Sequence, residues 1–387
     1  MENLKTHYGE FQLERLPKIK NDTLRAWDAA DELLIETVFT DHSNLLVTPP
    51  LLANDSFGAL AIALSEHSVH SWSDSFISHL ATTHNLSLNK ISASPTLIPS
   101  TEEPEGIYDL VLIKIPKTLS LLEDQLCRLK PHIHPKTVII GAAMSKHIHT
   151  STLKLFEKII GTTTTSRATK KARLIYAHND QQNIVVSPYP KTIKDESSGI
   201  NLQNFANVFA NDHLDIGTRF FLETIKKHLN QDGEYTEQAP NIIDLGCGNG
   251  ILGIAAKQLI SNAKISFTDE SYAAIASAKI NYSNETTDKN ADDAEFVMSN
   301  SLDQFQGNAP DLILCNPPFH QAHAVGDHIA WTMFKQSQQK LQNNGELWVV
   351  GNRHLAYHIK LKKLFGNCQT IASNKKFVVL VATKNKK

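Results

Sequence analysis

Asp244-Leu245-Gly246-Cys247-Gly248-Asn249-Gly250 follows the β-branched pair Ile242-Ile243 and leads into the apolar stretch Ile251 to Leu259. Glycines between a strand and a helix let the backbone turn sharply and approach a ligand closely, with the helix N-terminal N–H groups facing polar or anionic atoms. Such a turn predicts a βα unit of a parallel sheet. The spacing departs from the dinucleotide fingerprint G-x-G-x-x-G, because Ile251 stands three residues after Gly248. An acidic residue also lies ahead of the glycines. This pattern suits a cofactor with an amino-acid moiety, whose ammonium a carboxylate can pair, better than a pyrophosphate. Further on, Asp269 ends the next predicted strand, where a carboxylate can take both hydroxyls of a ribose.

Outward from this turn, short β-branched runs alternate with longer amphipathic stretches on both sides of the chain's middle, as in βαβ units. In the second half the predicted strands are 242–245, 265–268, 311–315 and 346–350, with helices over 251–259, 272–282 and 329–341. A chain of 387 residues with 41% hydrophobic content exceeds one ordinary core. Ser187-Pro188-Tyr189-Pro190, followed by the charged and serine-containing stretch to Gly199, reads as a linker between domains at 1–185 and 198–387. The halves also resemble each other. Asp109 to Pro116 parallels Asp311 to Pro318 at an offset of 202, Trp72 to Ser75 parallels Phe267 to Glu270 at 195, and Leu155 to Gly161 parallels Lys360 to Gly366 at 205. Blocks in one order with slowly drifting offsets predict a duplicated α/β domain.

Composition narrows the function classes. The 38 basic and 40 acidic residues give a net charge of -2, so any nucleic-acid site is local rather than global. Cys127, Cys247, Cys315 and Cys368 form no C-x-x-C pair, which argues against a disulfide framework or closed zinc site and for a reducing, cytoplasmic setting. His320, His323, His328, His147 and His149 lack a carboxylate or cysteine at a familiar ligand spacing, so no metal is expected. With no signal-peptide pattern and no long apolar run, neither export nor a membrane span is expected.

Asn316-Pro317-Pro318-Phe319 directly follows the apolar run 311–315. Prolines fix φ and lack N–H groups, so the carbonyls of this loop have no local ladder and are open to a ligand. An Asn amide oxygen beside a proline carbonyl can accept both hydrogens of a planar exocyclic amine and aim its lone pair at an electrophile. Positioning and directed acceptors suffice if that electrophile is a sulfonium methyl. Phe319 would stack on the ring that carries the amine. Adenine N6, cytosine N4, guanine N2 and glutamine amides all present such an amine, and these residues alone do not separate them.

Asp244 to Gly250, Asp269 and Asn316 to Phe319 resemble the S-adenosyl-L-methionine loop, ribose carboxylate and N-P-P-[F/Y] loop of class I amino-methyltransferases. Along nearly its whole length the chain is similar to the two-domain bacterial ribosomal RNA guanine-N2 methyltransferases, and most to those of the large subunit. The segments that carry this are Asn207 to Phe209 with Leu214 to Arg219, Asn316 to His320 with Asp327 to Trp331, and Asn352 to Leu355. In the first half they are Asn54 to Leu60, Lys114 to Lys117 and Thr162 to Lys171. The resemblance implies two tandem Rossmann-like methyltransferase domains from a duplication, the N-terminal one degenerate and docking RNA. It implies Asn316, Pro317, Pro318 and Phe319 as catalytic, with Asp244, Gly246, Gly248, Gly250, Asp269 and Asn300 holding the cofactor. The substrate it implies is 23S ribosomal RNA; a 16S enzyme, or an RNA-binding assembly factor without catalysis, is the alternative.

At the constant offset of 195, Leu51, Ala53 and Asp55 fall where Gly246, Gly248 and Gly250 stand; at the offset of 202, Lys114 and Ile115 replace Asn316 and Pro317, removing the amide acceptor and setting a cation against the amine. Binding and catalysis are then lost from the first half. Its segment 146–173 holds seven basic residues against Glu157, and 335–387 holds eleven against Glu346. Within these, Arg167, Lys170, Lys171, Arg353, Lys375 and Lys376 are the candidates for gripping phosphates.

Overall fold

A computed structural model describes residues 2–19, 22–181, 185–194, 199–209, 214–229, 239–286, 294–318 and 323–385, with side chains except at 323–327. The chain divides into two compact units, Met1–Tyr189 and Pro190–Lys387. The first runs β1 (Leu4–Thr6), β2 (Gly9–Phe11), α1 (Ala29–Asp41), β3 (Leu51–Ala53), α2 (Ala59–Ala63), β4 (His70–Ser73), α3 (Phe76–Leu88) and β5 (Thr96–Pro99). It continues with β6 (Tyr108–Lys114), α4 (Leu119–Leu129), β7 (Ile133–Met144), α5 (Thr150–Ile159), β8 (Thr163–Thr165) and β9 (Ala172–Ala177). The second runs β10 (Lys191–Lys194), β11 (Asn201–Asn204), α6 (Ile216–His228), β12 (Asn241–Leu245), α7 (Ile251–Leu259), β13 (Lys264–Asp269) and α8 (Tyr272–Glu285). It ends with β14 (Ala294–Met298), β15 (Leu312–Cys315), α9 (His323–Lys340), β16 (Glu346–Asn352), α10 (Tyr357–Phe365), β17 (Gln369–Ser373) and β18 (Phe377–Thr383). No helix among the described residues is long and apolar enough to cross a membrane.

Each unit is built on a seven-stranded mixed sheet, a Rossmann-like α/β fold. The orders are β5-β4-β3-β6-β7-β9-β8 and β14-β13-β12-β15-β16-β18-β17. In both, five strands are parallel and the penultimate one, β9 or β18, runs antiparallel to its neighbours. The parallel strands are buried on both faces, which is why they read as continuous apolar runs. In the second unit Phe221, Ile254 and Tyr282 pack on one face of the sheet, and Phe334, Tyr357 and Leu361 on the other. The first unit repeats this layering with Leu34 and Leu60 on one side and Leu122, Leu126 and Phe156 on the other.

Part of the stretch read as a linker is structured. Strand β10 pairs antiparallel with β11, Lys191 opposite Asn204. Its only period-two signal is Ile193, buried between exposed Thr192 and Lys194, too short a pattern to stand out beside two prolines.

The ladders correct the alignment of the two halves. Ala53 lies opposite Trp72 and Ile113, as Leu245 lies opposite Thr268 and Cys315. The Asn54 N–H donates to the Trp72 carbonyl, and the Gly246 N–H to that of Thr268. Asn54, Ser56 and Gly58, not Leu51, Ala53 and Asp55, therefore stand at the places of Gly246, Gly248 and Gly250. The offset between the halves changes from strand to strand, 192 from Ala53 to Leu245 and 202 from Ile113 to Cys315, because the segments between the strands differ in length. By the same ladders Ser73, not Asp74, takes the place of Asp269.

Gly58 and Gly250 cap α2 and α7 with φ of +80 and +83°. A Cβ on Gly58 would come within 2.8 Å of the Thr82 Cα, and one on Gly250 within 2.9 Å of the Ala278 Cβ. Both positions are glycine because a neighbouring helix passes close by, whether or not a ligand binds. We expect Gly58→Ala and Gly250→Ala each to lower stability by about 3 kcal/mol, combining left-handed backbone strain with overpacking. Gly248→Ala, with no atom within 4 Å of the added Cβ, should cost about 1–2 kcal/mol from backbone strain alone. Urea unfolding without ligand measures the difference.

Candidate active site

Leu245 pairs with Cys315 in adjacent parallel strands. From β12 the sheet extends through β13 on one side and from β15 through β16 on the other. This reversal leaves a crevice at the carboxyl ends of the strands, where ligands of open α/β sheets bind. It brings the glycine loop and Asn316, distant in sequence, to one edge.

The glycine loop is tied down from below and open above. Gly246 and Cys247 donate to the Thr268 carbonyl at 2.8 and 3.0 Å. The Gly248 N–H donates to Asp269 Oδ2 at 3.0 Å, and Asp269 Oδ1 accepts the Ser271 N–H at 3.0 Å. Asp269 thus joins the loop to the start of α8. Gly248, at φ +54°, faces open space that a Cβ would occupy; there a ligand could lie on the backbone.

Asp244 is fully buried. Its Oδ2 accepts the Gly253 N–H at 2.9 Å, while Oδ1 has no partner among the described residues. Burial pushes its carboxyl up to about 8, the Gly253 N–H opposing and the Asp269 charge adding to the rise. An unpaired carboxylate oxygen near a second carboxylate calls for a cation or a proton. The donor set therefore fits a cofactor that carries an ammonium. Asn300 follows β14, where its Nδ2 donates to Asp303 Oδ2 at 2.7 Å and its N–H to Gln304 Oε1 at 2.9 Å. Cys247 and Cys315 are buried packing, and burial raises both thiols.

Asn316 is half-buried, Pro317 buried and Pro318 exposed; Phe319 lies outside the described residues. The Asn316 Nδ2 donates to Thr218 Oγ1 at 2.9 Å. Its Oδ1 is buried and has no hydrogen-bond partner among the described residues. One end of the amide is thus anchored and the other is an open acceptor. No motif in the sequence marks Thr218. The available signal was cap spacing: Asp215 is the N-cap of α6 and accepts the Thr218 N–H at 3.1 Å, so Thr218 sits in the first turn, at the sheet edge.

In the first unit the matching ladder position holds Lys114, and the matching helix position holds Asp31. The Lys114 Nζ lies 2.7 Å from Asp31 Oδ1 and 2.9 Å from Asp28 Oδ1. Burial opposes the lysine charge, but the two carboxylates outweigh it and raise its pKa. The cation expected here from the sequence is held in a salt bridge, which fills the slot. Asp55, also buried, accepts the N–H groups of Leu60 and Ala61 at 3.0 and 2.9 Å. Those helix N-terminal donors are occupied.

The basic candidates form two exposed groups. Arg353 follows β16, and its N–H donates to the Lys376 carbonyl at 3.0 Å and its Nη1 to the Asn374 carbonyl at 3.3 Å. Lys375 and Lys376 occupy the β17–β18 turn, so the three gather beside the sheet edge that carries Asn316. In the first unit Arg167, Lys170 and Lys171 lie in the β8–β9 turn. There Lys170 already pairs with Glu32 at 3.0 Å.

Comparison with known proteins separates the possible relatives. Residues 1–181 match the model of the RLMG N-terminal domain and residues 199–381 that of the methyltransferase small domain. Ribosomal RNA large subunit methyltransferase G of Klebsiella pneumoniae is 48% identical over 97% of each chain. The chain belongs to the ribosomal RNA large subunit methyltransferase G family. The Pseudoalteromonas translucida member is 46% identical over 97% of this chain and 96% of its own. Among solved structures, the T. thermophilus 16S rRNA N2 G1207 methyltransferase, in complex with AdoMet and guanosine, superposes with a TM-score of 0.74 at 18% identity, covering 99% of this chain and 97% of that one. That likeness extends the two-unit fold of the family to a distant relative.

The buried carboxyl of Asp244 makes a stability prediction. Its folded pKa, about 8, lies above the ordinary 3.8, so the folded state holds a proton that the unfolded state releases. Folding stability from this group is full below 3.8 and is lost as pH rises to about 8. Asp244→Asn keeps an acceptor for Gly253 without the titration. The Tm of the variant should therefore exceed that of wild type by a margin that widens across this range and then levels, as measured by thermal melts against pH.

Proposed function

We propose that the chain transfers a methyl group from S-adenosyl-L-methionine to the exocyclic N2 amine of a guanine in 23S ribosomal RNA. The observation that carries this is the Asn316 amide: half-buried, anchored through Nδ2 to Thr218, and presenting a buried Oδ1 that has no partner among the described residues. An acceptor fixed in this way takes an amine hydrogen and aligns the nitrogen lone pair. The energetic cost of leaving it unpaired, about 1–3 kcal/mol, is recovered only when a donor arrives.

The cofactor would supply an electrophilic methyl on a sulfonium. The residues that would hold it are Asp244 for the ammonium, Gly246, Gly248 and Gly250 for close backbone approach, Asp269 for the ribose hydroxyls and Asn300 for the adenine. Asn316 and the Pro317 carbonyl orient the amine, and Pro318 and Phe319 complete the loop, the Phe319 ring stacking on the base. The guanine is drawn from a loop or unstacked. Its amine proton leaves to water once the new N–C bond has formed.

We also infer that the N-terminal domain (1–185) is a degenerate copy of the catalytic one (198–387), retained to dock RNA in the cytoplasm. The shared strand order and shared glycine cap support this. The Lys114–Asp31 salt bridge in place of Asn316 and Thr218 accounts for its lack of catalysis. Arg353, Lys375 and Lys376, with Arg167, Lys170 and Lys171, would bind phosphates.

Two experiments test these readings. Labelled methyl transfer to unmodified 23S and 16S RNA, with nucleoside analysis, should give N2-methylguanosine in 23S RNA, and Asn316→Ala should reduce it by about 100-fold or more. Thr218→Val should lower kcat about tenfold, the equivalent of one hydrogen bond of about 1–1.5 kcal/mol, and Thr218→Ser should restore it; a different product nucleoside would remove the guanine assignment. Second, replacing Arg353, Lys375 and Lys376 with Gln should weaken RNA binding and reduce the slope of log affinity against log salt by about 2–3. Filter binding at several salt concentrations measures it, and an unchanged slope would take these residues out of the RNA contact.

A further inference from the structure

We propose that Asn352 selects guanine among amine-bearing acceptors by taking the N1 hydrogen beside the amine that Asn316 takes, an inference that rests on the methyl-transfer reading above. Asn352 ends β16 and is 8% exposed, and its Oδ1, like that of Asn316, is buried with no hydrogen-bond partner among the described residues. It is therefore a second open acceptor at the same sheet edge.

The ladders place the two together. Cys315 lies opposite Val349, so Asn316 comes level with Val350 and Asn352 stands two residues further on. Leu312, Leu314, Trp348 and Val350 face one core; Ile313, Cys315, Leu347 and Val349 face the other. Period two then puts Asn316 and Asn352 on the same face, the one covered by Phe221, Leu222 and Ile225 of α6. The bond from Asn316 to Thr218 of α6 agrees with this direction. Diagonal neighbours on adjacent strands lie about 7–8 Å apart, their Cβ atoms somewhat closer, so two amide side chains on one face are within reach of one base.

The first unit offers an internal comparison. Met144 pairs with Ala172 there as Asn352 pairs with Phe377, so Met144 takes the place of Asn352 and Lys114 that of Asn316. Both acceptors are missing together from the half that lacks the glycine loop.

Two adjacent acceptors match one base. Guanine presents N2–H and N1–H side by side. The amine of adenine is flanked by ring nitrogens with lone pairs, that of cytosine by one, and that of a glutamine amide by its carbonyl oxygen. A site built of buried acceptors rejects a ligand that brings a lone pair in place of a hydrogen.

The test uses RNA with guanine or 2,6-diaminopurine at the methylated position, mapped first with wild type; diaminopurine keeps the N2 amine and lacks the N1 hydrogen. Wild type is expected to favour guanine in kcat/KM by about tenfold or more. Asn352→Ala should bring the ratio towards one at unchanged cofactor affinity, and Asn352→Asp, which keeps an acceptor, should retain the preference. Equal use of both bases by wild type, or an undiminished ratio in Asn352→Ala, overturns the proposal. If Asn352→Ala loses cofactor binding through misfolding, wild type and Asn352→Asp still decide it. A wild-type product other than N2-methylguanosine overturns the methyl-transfer reading itself, and this inference with it.

Discussion

The pairing of Leu245 with Cys315 is the constraint on which the candidate site depends. Neither loop beyond that pair has a function alone. The glycine turn offers open space at Gly248, and Asn316 offers an oxygen with no partner among the described residues; parallel register brings the two to one edge of the sheet. A slip of one residue would turn the Asn316 side chain to the opposite face, away from Thr218. The apolar runs on both strands hold that register, because each is buried from both sides and a slip would expose or crowd a core.

The same frame carries different chemistry in the first unit. Where Asn316 meets Thr218 in one half, Lys114 meets Asp31 in the other. A buried ion pair satisfies its own charges and leaves nothing for a ligand, and removing either partner strands the other. The amide and hydroxyl are neutral, so one oxygen can remain unpaired at modest cost. Asp55 completes the contrast by taking the N–H groups at the start of α2. At this edge the first unit pairs Lys114 and Asp55 internally, while in the second Asp244 Oδ1 and Asn316 Oδ1 have no partner among the described residues.

Much of this was legible because strong local patterns sat where tertiary structure needed them. The runs 242–245, 265–268, 311–315 and 346–350 became β12, β13, β15 and β16. Strand β10 was hidden because four residues with one buried Ile193 carry almost no periodicity. The alignment of the two glycine regions failed for another reason: loops of different length shift the offset between strands that themselves match. Only the hydrogen bonds of Asn54 and Gly246 to the adjacent strand fix it.

By itself the sequence determined the α/β class, the glycine turn, the N-P-P loop and the acidic strand ends, because each depends on neighbours within a few residues. Tertiary structure alone decided that Thr218 anchors Asn316, that Gly250 is held by Ala278 as much as by any ligand, and that Lys114 is neutralised. These are relations between residues dozens of positions apart, and a linear pattern carries no record of which side chain a helix terminus brings to a strand end. Burial has the same origin: whether a carboxylate such as Asp244 meets water, a proton or a cation is set by what packs around it.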